Sequence, residues 1–332
     1  GLFMKNLYLF LFLSFSFSQS LDSLDIVINN LRTVVENASR TNKKVLVDDF
    51  TGLDCPYCGY ASLAVSDMLD EFPETLISAQ WHLENFTPDY SDFDDCIYNG
   101  LAGECFETRA SYYGWDTINA VPIEAFNGLE VITGANSQLE AYNGYVPVYQ
   151  SIVDQATPYN IEINGLKDSL YVDYEVTITM ETNMANDNQY VHVFIAEDNI
   201  MSVWWIFGDV DHNARNVVRK WDSVLNLDIS QEGDSQTFSG SFTIDDSAWN
   251  PDSIKVIALV QNSSTKEVFQ VEQMNINNFD SDQDGIIGSE DNCPGLYNPG
   301  QEDMDNDQLG DVCDICDNAS VWVSGNINGE VD

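Results

Sequence analysis

The segment from Val45 to Cys58, V-L-V-D-D-F-T-G-L-D-C-P-Y-C, constrains the fold most, because it leads from an apolar run through a glycine turn into a C-x-x-C pair. The apolar run predicts a buried strand, and the residues from Ala61 to Phe72 have the apolar spacing of one helix face. Pro56 falls at a position typical of the first helical residue. The sequence therefore predicts a strand, a tight turn and a helix that begins at the cysteine pair.

Cysteines at a helix N-terminus suit thiol chemistry. Unpaired backbone N–H groups and the helix dipole favour a thiolate there, which predicts Cys55 as the nucleophile. Cys58 lies one turn later, within disulfide reach, and is predicted to be the resolving thiol. Two alternatives stay open: a structural disulfide, or a metal site that includes His82, although residues 20–157 contain no second C-x-x-C.

The run Asn119 to Gly128, N-A-V-P-I-E-A-F-N-G, resembles the loop of the thioredoxin superfamily in which a cis proline faces the C-x-x-C. The resemblance implies that Pro122 is that proline and that Val121 offers backbone groups to an extended substrate. It also implies that Asp49 is the buried carboxylate that accepts a proton from Cys58. An ordinary strand-start proline is the alternative for Pro122, and an exposed strand-end carboxylate, with the adjacent Asp48 making the register ambiguous, is the alternative for Asp49.

The N-terminal residues predict export. Met4-Lys5-Asn6, the apolar stretch that follows and the serines after it have the pattern of a secretory signal peptide over residues 1–19, and no later segment resembles a membrane span. Seven cysteines suit an oxidising compartment. Three pairings of neighbouring cysteines account for six of the seven, among them a local Cys96–Cys105 disulfide in an insertion. Cys316 is left without a partner in this scheme. Residues 319–332 are expected to begin a further segment, so that sequence for surface attachment could follow.

The charge balance excludes some partners. With 12 Lys and Arg against 55 Asp and Glu, the net charge is −43, which repels nucleic acid and anionic membranes. The acidic residues are concentrated between 279 and 318, a stretch without Lys or Arg. Such local density predicts cation binding.

Two loops in that stretch have the spacing of EF-hand-like calcium loops, in which alternate oxygens converge on one ion. Gly285 stands at the sharp bend of the first loop, and Gln308 replaces that glycine in the second. The predicted ligands are the side chains of Asp280, Asp282, Asp284, Asp291, Asp303, Asp305, Asp307, Asp311 and Asp314 and the carbonyls of Ile286 and Leu309.

With D-N-C-P at 291–294 and G-D-V-C-D at 310–314, this segment resembles the thrombospondin type 3 repeat. The resemblance implies an irregular chain organised by structural calcium, with Cys293 paired to Cys313. A disordered acidic linker is the alternative.

Residues 160–277 alternate between apolar and polar side chains, for example over 171–180, 190–195, 237–244 and 254–261. This period predicts an antiparallel β-sandwich of immunoglobulin-like type. His192 is interpreted as a strand-face histidine and His212 as a turn histidine in the loop 209–213.

Motifs spread along the chain resemble the outer-membrane-protein-28 family of Bacteroidetes-type bacteria. They are F-T-G-x-x-C-x-x-C, Trp81-His82, Arg109 with Tyr112-Tyr113-Gly114, Val121-Pro122, Val217-Val218-Arg219-Lys220 and Val268-Phe269-Gln270. The resemblance implies an exported envelope or surface protein. The predicted order is a signal peptide (1–19), a thioredoxin-like domain (20–157), a β-sandwich (158–278), a calcium repeat (279–318) and a further segment (319–332).

The leading functional hypothesis is an exported thiol–disulfide oxidoreductase that acts on protein thiols or disulfides, with calcium stiffening a spacer. The alternative is a cell-surface binding or adhesion protein in which Cys55–Cys58 is a structural disulfide. The outer membrane, the cell surface, secretion and the periplasm all fit the export prediction.

Overall fold

A computed structural model describes residues 41–83, 105–115, 120–282, 284–287 and 290–314, together with the backbone of 97–98 and 101–102. The predicted signal peptide, the segment 319–332, Cys96 and Cys316 lie outside these residues. The described chain is rich in β-strands, which form several sheets, and has three α-helices.

The first half of the chain alternates strands and helices. Its elements are β1 (Val45–Thr51), α1 (Pro56–Glu71), β2 (Leu76–His82), β3 (Ile97–Tyr98), β4 (Leu101–Ala102), α2 (Cys105–Tyr112), β5 (Ile123–Phe126), β6 (Glu130–Thr133) and α3 (Gln138–Val153). The strand order is β2-β1-β5-β6, with β1 parallel to β2 and antiparallel to β5. Because β1 is flanked on both sides, all seven of its residues are buried.

Local chemistry explains where α1 begins. Cys55 is its N-cap, with extended backbone and a sulfur that accepts the Cys58 N–H, and Pro56 supplies a helical φ at the first position. The apolar face of α1, with Val65 and Met68 at its centre, packs on Val45 of β1 and Tyr145 of α3. This packing covers one face of the sheet.

The second half consists mainly of strands. They are β7 (Tyr159–Asp168), β8 (Tyr171–Met180), β9 (Gln189–Glu197), β10 (Ile200–Trp205), β11 (Asp209–Ala214), β12 (Val217–Asn226), β13 (Ser235–Thr243), β14 (Ile254–Asn262) and β15 (Val268–Asn275). The four segments with an alternating pattern are strands. The loop expected around His212 is instead strand β11, because residues 209–214 pair along their length with β10. That correction makes His212 a strand residue.

The large sheet runs through the boundary predicted between residues 157 and 158. Its order is β15-β14-β9-β12-β2-β1-β5-β6, so four strands of the second half extend the sheet of the first half beyond β2. The join is made by Val217 opposite Gln80 and by the Gln80 N–H donating to the Asn216 carbonyl at 3.0 Å. An otherwise open strand edge is thereby paired.

A second sheet, β13-β8-β7, faces the β9–β14 part of the large sheet. Their inner side chains, such as Val176 and Ile178 against Val193 and Ala258, form one apolar core. Two antiparallel layers with alternating inward residues are the arrangement expected of a sandwich. Here one of the layers also belongs to the α/β half.

The acidic segment follows β15 and a short 3₁₀ turn (Ile276–Asn278). Its described residues contain no helix or strand, and a Cys293–Cys313 disulfide closes it into a loop. Asn164 of β7 anchors its start by accepting the Asp280 N–H at 3.0 Å and donating to the Asp280 carbonyl at 2.6 Å. None of the helices in the described residues is long and apolar enough to cross a membrane.

Candidate functional site

Cys55 and Cys58 form a disulfide at the N-terminus of α1. The Cys58 N–H donates to the Cys55 sulfur at 3.2 Å, so the helix end is directed at that atom. Cys55 retains 5% of its surface, whereas Cys58 is fully buried. Cys55, which was predicted to be the nucleophile, is thus the cysteine of the pair that caps the helix.

The Val121–Pro122 loop lies against this disulfide. The Val121–Pro122 peptide bond is cis, and the Val121 carbonyl oxygen lies 3.5 Å from the Cys55 sulfur. A groove of about 590 Å³ opens beside the loop, and its lining includes Tyr57, Val121, Pro122, Gly134 and Glu140. Two of these residues adjoin the disulfide: Tyr57 follows Cys55 by two positions, and the Val121 carbonyl lies against the Cys55 sulfur.

The two adjacent aspartates of β1 point to opposite faces of the sheet. Asp48 is used structurally: it accepts Arg109 Nη2 at 2.6 Å, the Tyr113 hydroxyl at 2.5 Å and Trp81 Nε1 at 2.8 Å. Asp49 faces the helices and is fully buried, and among the described residues its carboxylate accepts one hydrogen bond, from Gln80 Nε2 to Oδ2 at 2.8 Å. Burial raises the Asp49 pKa to about 7, against the effect of the Gln80 hydrogen bond.

Glu124 is a second buried carboxylate that sequence reasoning missed. It stands opposite Asp49 in the β1–β5 pairing and is fully buried, with the Tyr145 hydroxyl as its polar neighbour. Burial, and then the charge of Asp49, raise its pKa well above the usual range. The pattern Ile123-Glu124-Ala125 predicts a polar residue on the open face of a half-buried strand, so no sequence signal indicated that Glu124 is buried.

Hydrogen bonds connect Asp49 to α1. Gln80 Nε2 also donates to Ser62 Oγ at 3.2 Å, and Ser62 lies one turn beyond Cys58 on the same helix. Ser62 Oγ in turn lies 3.2 Å from His212 Nε2, and His82 Nε2 lies 2.9 Å from Gln80 Oε1. Burial, and then the charge of Arg219, lower the His82 pKa to about 3, so His82 is neutral.

The β10–β11 hairpin covers the cysteine pair. Trp204, fully buried, packs with both cysteines, and the Trp205 N–H donates to the Leu53 carbonyl at 2.9 Å. Gly59 admits the hairpin, because a Cβ there would stand 2.4 Å from Ile206 Cγ1. This cover explains why Cys58 is inaccessible.

Two groups of carboxylates lie in the acidic segment. Ligand oxygens of Asp280, Asp282 and Asp284 lie within 4.8 Å of one another, as do those of Asp303, Asp305 and Asp307. The bends are equivalent: Gly285 has φ +90° and Gln308 has φ +80°, so the non-glycine residue adopts the left-handed turn as well.

The other predicted ligands have separate roles in this segment. Asp291 Oδ1 accepts the Cys293 N–H at 2.8 Å, and Asp311 Oδ1 accepts the Met304 N–H at 2.7 Å. The Asp314 N–H donates to the Gly310 carbonyl at 2.8 Å. The Ile286 N–H donates to Asp284 Oδ1 at 2.8 Å, and the Leu309 N–H donates to Asp307 Oδ1 at 2.9 Å. Within the part of the chain that the structure describes, the buried Asp282 Oδ2 has no hydrogen-bond partner, which fits a site that takes a cation.

These features define a protein with a buried helix-terminal disulfide beside a substrate-sized groove. No described protein family and no curated protein matches the chain. Among solved structures it is similar to HBP35 of Porphyromonas gingivalis, with 13% identity and a TM-score of 0.55 over 72% of this chain and 77% of that one. At this identity the likeness concerns the fold.

Two weaker similarities carry no argument. A protein from Agrobacterium tumefaciens has 14% identity and a TM-score of 0.44 over 72% of this chain and 97% of its own. A domain of the outer membrane lipoprotein Omp28 from Porphyromonas gingivalis has 14% identity and a TM-score of 0.23 over 36% of this chain and 89% of its own.

Proposed function

We propose that this chain is an exported, thioredoxin-like thiol–disulfide exchange protein of the bacterial envelope, with Cys55 as the reacting sulfur. The observation that carries the proposal is the position of Cys55, which caps α1 with its sulfur 3.5 Å from the carbonyl oxygen of Val121, a residue that lines the groove. Strand order β2-β1-β5-β6 with helices on the Cys55 side supports the fold assignment. The disulfides support export.

The exchange proceeds in two balanced steps. A substrate thiolate attacks the Cys55 sulfur, the Cys55–Cys58 bond breaks, and Cys58 leaves as a thiolate that takes up a proton. A second substrate thiolate then attacks the substrate's own sulfur in the mixed disulfide, which releases Cys55 as a thiolate. The substrate is oxidised to a disulfide and the protein is reduced to a dithiol; the reverse direction uses the same steps.

The buried carboxyls Asp49 and Glu124 are the proton store of this proposal. Two buried carboxyl groups in facing positions resist simultaneous ionisation, so the pair retains a proton near neutral pH. The pair can donate a proton when Cys58 leaves and accept one when Cys58 attacks. The contact of Gln80 with both Asp49 and Ser62 connects the pair to the helix that carries Cys58.

Calcium is proposed as the structural ion of residues 280–314, which resemble a thrombospondin type 3 repeat. Three converging carboxylates per loop, with no Lys or Arg between 279 and 318, repel one another unless a cation joins them. One ion would be held by Asp280, Asp282 and Asp284, and another by Asp303, Asp305 and Asp307. Their role is to fix an otherwise irregular chain.

The test is the equilibrium potential of Cys55–Cys58 in the full chain with calcium. The protein is equilibrated in glutathione redox buffers, thiols are alkylated, and each cysteine peptide is quantified by mass spectrometry. We expect a reversible value between about −120 and −270 mV. Cys293–Cys313 in the same samples is the internal control for a structural disulfide.

The second candidate is a surface-binding protein in which Cys55–Cys58 is a structural disulfide. Complete burial of Cys58 under the hairpin favours it. A potential below about −300 mV, or reduction only on unfolding, would support this second candidate and refute the exchange proposal.

A further inference from the structure

The outer face of the β10–β11 hairpin carries a row of exposed apolar side chains. Met201, Val203 and Trp205 retain 64%, 55% and 45% of their surface. In the pairing register Val203 stands opposite Asp211 and Trp205 opposite Asp209, so an acidic row runs beside the apolar row. Soluble proteins rarely expose such contiguous apolar surface without a binding role.

The apolar row continues to the cysteine pair. Phe207 at the hairpin tip, 63% exposed, contacts Tyr57 edge-on with ring centroids 5.8 Å apart. Tyr57 lies inside the C-x-x-C and also lines the groove beside Val121 and Pro122. The hairpin face therefore adjoins Tyr57, and Tyr57 adjoins the groove; we call the hairpin face together with Tyr57 the hairpin surface.

The hairpin cannot rotate to bury these apolar side chains, because its inner face is held in place by packing and ion pairs. Trp204 is fully buried against the cysteines and donates Nε1 to the His212 carbonyl at 3.2 Å. At its base Arg215 forms ion pairs with Asp198 at 2.8 Å and Asp70 at 3.0 Å. The outer apolar side chains are thus held toward solvent.

Charge selects among the possible occupants. A second copy of this chain would bring Asp209 and Asp211 against another acidic surface, and each chain carries a net charge of −43. An anionic lipid surface is repelled for the same reason. A polypeptide that combines apolar and basic side chains satisfies both rows at once.

We propose that the hairpin surface docks an extended polypeptide segment in which every second residue faces the hairpin and these facing residues include both apolar and basic ones. Its apolar side chains cover Met201, Val203 and Trp205, and its Lys or Arg side chains pair with Asp209 and Asp211. As a statement about the substrate of the exchange site, the proposal rests on the proposed function. Docking on the hairpin surface places a substrate cysteine at the groove, next to Cys55.

The test uses the full chain in calcium with Cys55→Ala and Cys58→Ala, so that binding is measured without exchange. The probe is a fluorescein-labelled, cysteine-free synthetic peptide, followed by anisotropy, in which Leu or Trp and Lys take turns at every second position with Ser between them, so that both kinds of side chain share one face. Met201→Gln with Val203→Thr is expected to raise Kd about tenfold, because two apolar contacts are lost. The matched control, Leu166→Gln with Val224→Thr, changes residues of 39% and 41% exposure elsewhere and is expected to leave Kd within about twofold.

A charge pair of variants tests the acidic row. Asp209→Asn with Asp211→Asn is expected to weaken peptide binding and to reduce its salt dependence. The control, Asp168→Asn with Asp173→Asn, removes the same charge from a distant exposed strand pair and is expected to leave the affinity and its salt dependence unchanged. Equal effects of surface and control variants would overturn the proposal. A second outcome would also overturn it: Met201→Gln with Val203→Thr shifts the monomer–dimer equilibrium in sedimentation but leaves the peptide affinity unchanged. That result would assign the surface to a second copy of the chain.

The two proposals can fail separately. Peptide binding that responds to the hairpin variants, together with a structural potential for Cys55–Cys58 in the unsubstituted protein, would refute exchange and leave docking in place. A potential in the exchange range with no effect of the hairpin variants would refute docking alone.

Discussion

At the scale of single residues, Asp48 and Asp49 show how one position along a strand changes the chemistry of a carboxylate. Asp48 lies among Arg109, Tyr113 and Trp81, whose donors satisfy it. Asp49 faces α1, where one amide contacts it and burial favours the protonated form. The sequence predicts both residues at the end of the strand and on opposite faces of the sheet. It does not predict which of the two faces α1, because alternation alone does not distinguish the two faces.

The raised pKa of Asp49 makes stability depend on pH. The unfolded carboxyl has a pKa of 3.8 and the folded one a pKa of about 7, so the folded state binds the extra proton in between. This contribution to stability is complete below the unfolded pKa and is lost as pH rises through the folded one. The unsubstituted protein should therefore lose stability as pH rises from about 5 to about 8, whereas Asp49→Asn lacks this loss. Over that range, the unfolding free energy of Asp49→Asn is expected to rise by about 2 to 3 kcal/mol relative to that of the unsubstituted protein.

Denaturant unfolding in calcium at both pH values measures this difference. Asp54→Asn, on the exposed loop before Cys55, is the control and should show no such gain. A pH-independent difference for Asp49→Asn would contradict the protonated state assigned to Asp49.

At the scale of elements, the packing of α1 against the β10–β11 hairpin decides how much of the cysteine pair is accessible. The N-terminal part of α1 carries the small residue Gly59, and Ile206 of the hairpin fills the space above it. Sequence periodicity identified α1, but residues 209–213 of the hairpin were interpreted as a loop, because the alternation there is short and the hairpin packs on a helix far away in the chain.

Gly59→Ala tests this contact. Alanine is a better helix former by about 1 kcal/mol, but the new Cβ collides with Ile206, and overpacking of this kind costs about 1 to 3 kcal/mol. We expect a net loss of stability and, after mild reduction, faster alkylation of Cys58. Addition of Ile206→Ala should restore both properties toward the original values.

Gly144→Ala on α3 is the matched control, because nothing lies within 4 Å of the added Cβ. It is expected to increase stability by about 0.5 to 1 kcal/mol through helix propensity alone. Similar gains for Gly59→Ala and Gly144→Ala would mean that the hairpin is not seated on α1 as described.

At the scale of the whole molecule, one sheet unites both halves of the described chain. The aromatic core on one of its faces combines Phe50 and Trp81 from the first half with Phe194 and Trp221 from the second. Arg109 extends this link by donating to Gln261 of β14 at 2.9 Å. The halves therefore share a core that neither can complete alone.

We expect a chain truncated to residues 41–157 not to fold cooperatively. Removal of the second half exposes the aromatic core and leaves the β2 edge unpaired, which favours aggregation. Circular dichroism during heating and sedimentation would measure the outcome, with the chain 41–314 as control. A soluble monomer of residues 41–157 with a cooperative transition would contradict the shared core.

Calcium removal is expected to act on the acidic segment alone. Chelation should open residues 284–314 to proteases, while the strands before residue 278, which contain none of the predicted ligands, stay resistant. Limited proteolysis with mass-spectrometric mapping measures this. Asp282→Asn with Asp305→Asn should make the segment sensitive even in calcium, and equal resistance of the original protein with and without chelator would refute structural calcium.

Local pattern was sufficient for part of this protein. The start of α1, the four alternating strands and the acidic loops follow from short-range propensity and spacing, which act within a few residues. The Cys293–Cys313 disulfide, implied by a resemblance, is present in the structure. Tertiary structure decided the rest: the sheet that joins both halves, the burial of Cys58 under a hairpin about 150 residues away in the chain, and the encounter of Asp49 with Glu124. These depend on which distant surfaces exclude water together, and no local pattern carries that information.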